Sequence, residues 1–255
     1  NLDSVKDKTR FNALIVGTDA GGKLTDAIML VNVDKTSGKI SLLSVPRDTK
    51  VKVDGKTRKI NACYSIGGMD LLLSQVKNLT GVQINYYAVI KPGTLANIVD
   101  ALGGVEYEVE RDMYYNDPSQ NLYIDLKKGK QTLDGDKAEQ YCRFRSYPLG
   151  DIERTAAQRR FLKAMLEQKL KLKYAIRLAD VYDAVEEGIE TNVTFGDVAQ
   201  NITLMQTLGE INNFETPGKY NDMQKEKVSY YIIESDDLSE LKSLCAEHFN
   251  IDQNS

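Results

Sequence analysis

Nowhere in this chain do some 18 apolar residues run together, so nothing within it is built to cross a bilayer as a helix. Histidine is almost missing. His248 stands alone in the last helix-like segment, where a lone histidine is ordinarily a surface residue, and a covalent Ser–His or Cys–His route has no support. Only three cysteines occur, Cys63, Cys142 and Cys245; they are odd in number and too widely spaced for a metal or redox motif. They read as structural thiols and leave the compartment open. There are no internal repeats, no low-complexity linker, no helix-turn-helix pattern and no signal-peptide pattern at the start, and Asn1 reads as the beginning of a trimmed or mature fragment. Among what is present, 42% hydrophobic content over 255 residues is enough to bury the core of one large domain.

Charge is distributed unevenly. Residues 143–177 hold ten Lys or Arg against three Asp or Glu, a net of +7. Residues 178–255 hold four against sixteen, a net of −12, and the first 142 are nearly balanced at nineteen against eighteen. One basic block in an otherwise acidic chain points to a local anionic ligand, whereas general nucleic-acid binding would call for a broadly basic face. The lysines from Lys163 to Lys173 fit the wet side of an amphipathic helix. The arginines do not. Five of them lie between Cys142 and Arg160, around Arg143-Phe144-Arg145 and Asp151-Ile152-Glu153-Arg154. Arginine stays charged and offers a planar fork of donors that matches phosphate oxygens, so this stretch reads as a phosphate or pyrophosphate site.

The pattern of apolar runs predicts strands over Phe11–Val16, Ala27–Val33 and Lys39–Val45, the last two joined as a hairpin through 34–38. A helix is expected over Met69–Leu79 with Gly81 as its stop, a buried strand over Tyr86–Ile90, and a helix opened by Pro92 and closed by Gly103. A strand over Val105–Val109, a short helix over Asp134–Tyr141 and a long one from Asp151 to about Leu172 follow. Further helices are expected near 174–187 and 196–209, then a strand over Val228–Ile233 and a helix from Leu238. Strands buried on both faces with helices between them predict a three-layer αβα sandwich around a central mixed β-sheet.

Gly17-Thr18-Asp19-Ala20-Gly21-Gly22-Lys23 matches G-x-x-x-x-G-K, but Leu24 replaces the Ser or Thr of a phosphate loop and a strand, not a helix, follows. A nucleotide-hydrolase reading fails on that context. Asp19 and Asp26 flank the same turn; they are either a pair of Mg²⁺ ligands or a solvated loop residue and a turn cap. Arg47 emerges from the end of a strand, where α/β sheets place ligands, and Arg58, Lys59 and Asn61 add cations and an amide in the next loop. Arg143 and Arg145 share a face only if their segment is extended. Asp151, Arg154 and Gln158 fall in one arc of their helix, above Leu162, Met165 and Leu166, as at the mouth of a core.

Taken together these segments resemble the LytR–CpsA–Psr family of bacterial cell-wall ligases, over most of residues 11–170. The resemblance rests on the Gly-Thr-Asp loop with Thr25-Asp26, on 44–49 (Ser-Val-Pro-Arg-Asp-Thr) and on 59–62 leading to Gly67-Gly68. It continues through 102–105 (Leu-Gly-Gly-Val), 133–135 (Leu-Asp-Gly), and Arg143-x-Arg145 followed by Asp151-x-x-Arg154-x-x-x-Gln158. Six such segments in order are specific. The resemblance implies a linker over 1–10 after a membrane anchor absent from this chain, and a single catalytic domain over 11–255 on the extracellular face of the bacterial cytoplasmic membrane. It implies transfer of an anionic glycopolymer, such as wall teichoic acid or capsule, from a polyprenyl-pyrophosphate carrier to the C6 hydroxyl of peptidoglycan N-acetylmuramic acid. The prenyl tail would lie in an apolar tunnel, and hydrolysis of the pyrophosphate is a possible side activity.

By position, Arg47, Arg143, Arg145 and Arg154 would bind the pyrophosphate with Gln158 supporting, Lys59 and Asn61 would contact substrate, and Asp19 and Asp26 would serve Mg²⁺. Asp151 would orient an arginine or act as base toward the acceptor. Ala157 stands where the family usually has a second arginine; Arg159 or Arg160 could compensate, with Arg160 expected to point away, so either one phosphate contact is missing or an arginine at this position is not essential. Such chemistry needs positioning and charge neutralisation more than a nucleophile. A non-catalytic binding module for anionic glycopolymer or lipid pyrophosphate would need the arginines without the aspartate pair. No nucleic-acid partner is expected.

Overall fold

The apolar runs near the start of the chain form three strands, β1 (Arg10–Thr18), β2 (Thr25–Asp34) and β3 (Lys39–Ser44), paired antiparallel in sequence order. In this computed structural model the residues described are 9–19, 21–118, 122–147, 151–169, 181, 183, 185, 188–201, 209–221 and 228–249, with backbone alone at 151, 195, 199 and 200. The chain divides into two compact units, Asn1–Val89 with Thr191–Val193 and Glu210–Ser255, and Ile90–Glu190 with Thr194–Gly209.

In the first unit a hairpin of β4 (Lys50–Val53) and β5 (Lys56–Lys59) leads through a 3₁₀ turn (Ile60–Ala62) into α1 (Cys63–Thr80) and then β6 (Tyr86–Ile90). The second unit continues with α2 (Thr94–Ala101), β7 (Val105–Val109), the hairpin β8 (Met113–Asp117) and β9 (Leu122–Leu126), and β10 (Gly129–Leu133), which pairs antiparallel with β7. There follow α3 (Gly135–Arg143), α4 (Asp151–Lys169), the short strand β11 (Ile189–Thr191) and α5 (Phe195–Asn201). The first unit closes with β12 (Glu210–Glu215), β13 (Lys219–Tyr220), β14 (Tyr231–Ile232) and α6 (Ser235–His248).

The main sheet has the order β11-β6-β1-β2-β3-β12, and β12 runs parallel to β3 while β1, β2 and β3 are antiparallel, so the sheet is mixed. Leu14, Val16, Ile28, Leu30, Leu43 and Val45 on one face pack with Leu72, Val76, Leu241, Cys245 and Phe249 of α1 and the α6 end. Met29, Val31, Val33, Ile40 and Leu42 on the other face are buried as well, as the expected central layer requires. At one end of the first face lies a polar knot. Asn12 donates to the carbonyls of Gln83 and Phe249 at 2.9 and 3.0 Å and accepts from Asn32 at 2.9 Å, so its burial leaves no amide orphaned. The second unit has its own core, from Val99, Val105 and Ile124 to Tyr141, Phe144, Ala157 and Phe161.

Several expectations change. β6 is half-buried with only Val89 inside, not a buried strand. Arg58 and Lys59 belong to β5 rather than to a loop. The strand expected over 228–233 is only Tyr231–Ile232, and α6 starts at Ser235 instead of Leu238, because Glu234 and Asp237 form a reciprocal capping box. The helix expected at 196–209 is described to Asn201, and those near 174–187 and beyond 169 lie largely outside the described residues.

Candidate active site

The first unit presents one group of candidate residues around the ends of β1, β2 and β3. Asp19 Oδ1 accepts the N–H groups of Lys23 and Leu24 at 2.9 and 3.1 Å, while its own N–H donates to Leu24 O at 2.9 Å, so this carboxylate shapes the Gly-rich turn. Asp26, one residue into the paired part of β2, meets Arg47 at 2.5 Å between Oδ1 and a guanidinium nitrogen, with both side chains about three-quarters buried (24% and 27% exposed). The turn that bears Arg47 is held from several sides. Thr49 donates back to Pro46 O through N–H and hydroxyl at 3.0 and 2.6 Å, the N–H of Asn61 donates to Arg47 O at 3.1 Å, and that of Tyr231 to Asp48 O at 2.9 Å. Lys59 pairs with the buried Asp48 at 2.9 Å. The placing of Arg47 at the end of β3 is therefore as expected. Asp48, its neighbour in the Pro-Arg-Asp-Thr run, is a positioning residue that sequence reasoning missed.

Next to this group α1 is irregular. Gly67 and Gly68 leave the helical region, and Gly68 has φ 65° and ψ −160°, a conformation open essentially to glycine alone. Such local strain gathers at ligand sites. The hydroxyl of Thr25 reaches Asn61 O at 3.5 Å, linking the start of β2 to the turn that precedes α1.

The second unit presents the other group. Asp134 caps α3 by accepting the Lys137 N–H at 2.9 Å, and the helix then runs through Arg143 before Phe144 turns extended. Arg143 and Arg145 therefore do not share the extended strand face expected for them. Arg143 closes a helix and pairs with Glu139, one turn back, at 3.2 Å, whereas Arg145 lies exposed in the extended segment beyond it. The i, i+4 spacing of Glu139 and Arg143 is the sequence signal of this pair.

On α4, Arg154 and Arg159 are 1% and 6% exposed, and Ala157 between them is fully buried in the core. An alanine at 157 thus fills a core position while Arg159 is tucked in two residues later. Arg160 points away, as expected, and binds Glu110 through two nitrogens at 2.8 Å; Glu110 also accepts from the hydroxyl of Tyr141, which contacts that of Tyr107 at 2.8 Å. Gln158 donates to Cys142 O at 3.0 Å and so ties α4 to the last turn of α3. Its Oε1 and the Tyr147 hydroxyl are buried without a hydrogen-bond partner among the described residues. Burial, then the nearby Glu110, pushes the Tyr147 phenol well above its usual range, so it stays protonated and able to donate. The side chain of Asp151 lies outside the described residues.

The three thiols are buried and free, and burial raises all of them, Cys142 and Cys245 to about 12, which makes them inert as nucleophiles. Among the described residues no group of three or more His, Cys, Asp or Glu is placed to hold a metal, and no helix is long and apolar enough to cross a membrane.

The "Probable cell wall biosynthesis protein LcpB" of Corynebacterium glutamicum is 44% identical over 151 residues, which is 59% of this chain and 35% of that protein. The "Polyisoprenyl-teichoic acid--peptidoglycan teichoic acid transferase TagU" of Enterococcus faecalis is 27% identical over 257 residues, 97% of this chain and 82% of that one. The chain thus spans about a third of the first relative and most of the second. The crystal structure of B. subtilis TagV superposes with a TM-score of 0.82 at 23% identity, covering 96% of this chain and 98% of that one, a likeness of fold. The profile of the LytR_cpsA_psr family matches residues 1–247. With that match across nearly its whole length, this chain belongs to the LytR–CpsA–Psr family.

Proposed function

We propose that this chain is the catalytic domain of an extracellular, membrane-anchored phosphotransferase that moves an anionic glycopolymer from a polyprenyl-pyrophosphate carrier to the C6 hydroxyl of a peptidoglycan N-acetylmuramic acid. The observation that carries the reading is the concentration of Arg143, Arg145, Arg154 and Arg159 within 17 residues at the end of α3 and along α4, fixed cations with the planar donor forks that phosphate groups take. Family membership and the transferase activity for which the TagU relative is named support it.

In this reading the acceptor hydroxyl oxygen attacks the phosphorus that bears the sugar. A phosphodiester forms, the P–O–P bond breaks, and polyprenyl phosphate leaves with the electron pair. Arg47, Arg143, Arg145 and Arg154 bind the pyrophosphate and offset charge as it develops, while Gln158, Arg159, Lys59 and Asn61 orient the substrate. Asp151 takes the hydroxyl proton or orients an arginine. Asp19 and Asp26 supply hard oxygen donors of the kind Mg²⁺ takes in ones or twos alongside phosphates and water. That ion would add Lewis-acid neutralisation of the phosphates.

The second reading is a non-catalytic binding module. It is favoured by the engagement of both aspartates, Asp19 with its own turn and Asp26 with Arg47. Transfer of radiolabelled glycopolymer from a lipid-linked donor to peptidoglycan separates the two. Arg143→Ala is expected to lower kcat/KM about 30-fold, equivalent to losing about 2 kcal/mol of preorganised charge contact. Asp19→Asn, which keeps the Oδ1 acceptor, should abolish transfer and retain donor binding. Near-wild-type turnover in Arg143→Ala sinks the proposal.

A further inference from the structure

The β4–β5 hairpin gathers more positive charge than the residues around it neutralise. Residues 50–59 hold Lys50, Lys52, Lys56, Arg58 and Lys59 against one carboxylate, Asp54, in a chain of net charge −4. Asp54 and Gly55 form the two-residue tip, both at positive φ (49° and 73°), the kind of turn that matches the twist of paired strands. Val51 and Val53 are buried in the core of the first unit, so the ribbon is pinned along its length. Lys50, Lys52, Lys56 and Arg58 are exposed. Among the described residues none of these four has a carboxylate partner. Lys50 lies over the ring of Tyr230 at 5.4 Å, and Arg58 reaches only the neighbouring Thr57 O at 3.5 Å. By contrast the exposed Lys39, Lys127 and Lys219 pair with Glu210, Asp125 and Glu234. Asp48, at the foot of the hairpin, is engaged by Lys59 at 2.9 Å. Residues 222–227, outside the described residues, hold two lysines and two carboxylates and leave the balance of charge unchanged.

A fixed ribbon of unpaired cations suits a polyanion, and its geometry selects the kind. Lys52 stands opposite Thr57, Val53 opposite Lys56 and Val51 opposite Arg58, so Lys50 and Lys52 project from one face and Lys56 and Arg58 from the other. A lipid surface is flat and meets one face alone, and the hairpin exposes no apolar side chain to seat in it. A flexible chain can wrap both faces. Alternate residues of one strand stand about 7 Å apart, a step that one extended glycerol phosphate repeat covers. The open end of the ribbon is also the candidate site of the first unit. Lys50 follows the turn that bears Arg47, and Lys59 is bonded to Asp48 in that turn.

We propose that the β4–β5 hairpin is a docking ribbon for a flexible phosphodiester polymer that runs outward from the Arg47 turn, with Lys50, Lys52, Lys56 and Arg58 meeting successive phosphates. That this polymer is the transferred cargo rests on the transferase reading; that the hairpin binds such a chain does not.

The test uses the whole chain and a short oligomer of glycerol phosphate, free of lipid and pyrophosphate, followed by calorimetry from low to physiological salt. Saturable binding is expected, with an affinity that falls as salt rises, since each phosphate contact releases counterions. A Lys52→Gln, Lys56→Gln double variant should lose about fivefold or more in affinity at low salt, as two exposed ionic contacts go, and should show a shallower salt dependence. A Lys52→Arg, Lys56→Arg double variant, which keeps the charges, should retain both. Both variants should keep the wild-type melting temperature and affinity for inorganic pyrophosphate, since neither lysine is buried or paired. Absence of saturable binding, an unchanged affinity in the glutamine variant, or glycerol phosphate monomer binding as tightly as the oligomer overturns the proposal. So does a glutamine variant that loses only its binding to phosphatidylglycerol vesicles, which would make a membrane the occupant. The binding assay contains neither lipid donor nor acceptor: absence of transfer with oligomer binding intact counts against the transferase reading alone, and transfer without oligomer binding against this ribbon alone.

Discussion

The Asp26–Arg47 pair offers the sharpest quantitative test of how the first unit holds Arg47. A double-mutant cycle of Asp26→Asn, Arg47→Met and the two together isolates the coupling. Two unit charges about 4 Å apart interact by about 4 kcal/mol at an effective dielectric of about 20. Fully exposed pairs deliver under about 1 kcal/mol, because water screens them and two long side chains lose freedom. With contact at 2.5 Å and both side chains about a quarter exposed, this pair lies between those limits. The expected coupling is about 1.5 kcal/mol in urea unfolding at low salt, declining as salt is raised. A coupling below about 0.5 kcal/mol, or one indifferent to salt, would refute the reasoning. The pair also makes a signed prediction for binding. Without divalent metal, Asp26→Asn should tighten pyrophosphate binding, because a carboxylate competing for Arg47 is gone. With Mg²⁺ it should weaken binding, because a candidate ligand for the ion is lost. An equal effect under both conditions would remove Asp26 from the metal proposal.

Other outcomes follow from the same geometry. Gly68→Ala forces a side chain into φ 65°, ψ −160° and should cost about 1–3 kcal/mol in urea unfolding; a variant of wild-type stability would show that α1 can re-form without its break. Burial moves Cys142 and Cys245 from 9.0 to about 12. Above pH 9 the unfolded chain loses those protons while the folded one keeps them, so stability should fall by about 1.4 kcal/mol per pH unit for each thiol up to about pH 12. Unfolding midpoints across that range should flatten in Cys142→Ala and Cys245→Ala, and an unaltered slope would contradict their burial. Asn12→Ala strands the Asn32 amide and two carbonyls and should cost about 3 kcal/mol or more by the same unfolding measurement; a loss under about 1 kcal/mol would mean that water replaces the knot.

Local signals were legible wherever chemistry within a few residues decides the outcome. The β2–β3 hairpin, the stop of α1 at Gly81, the Asp134 cap and the start of α4 at Asp151 could all be read from side-chain period, Gly and Pro. So could the family, since its motifs are short runs in a fixed order, and with it the roll of candidate residues. Strands β4, β5 and β12 escaped because they are largely polar, and only a partner strand makes them strands: β12 pairs with β3 from about 170 residues away. The sequence alone thus determined a mixed α/β chain with a concentrated set of arginines and the order in which they come. Only the tertiary structure decided that Arg143 ends a helix, that Asp26 grips Arg47 and Asp48 grips Lys59, and that Arg154 and Arg159 are buried while Arg160 is spent on Glu110. The physical reason is that an ionic group's partner and its exposure to water depend on which distant segments fold against it, and no local period encodes that.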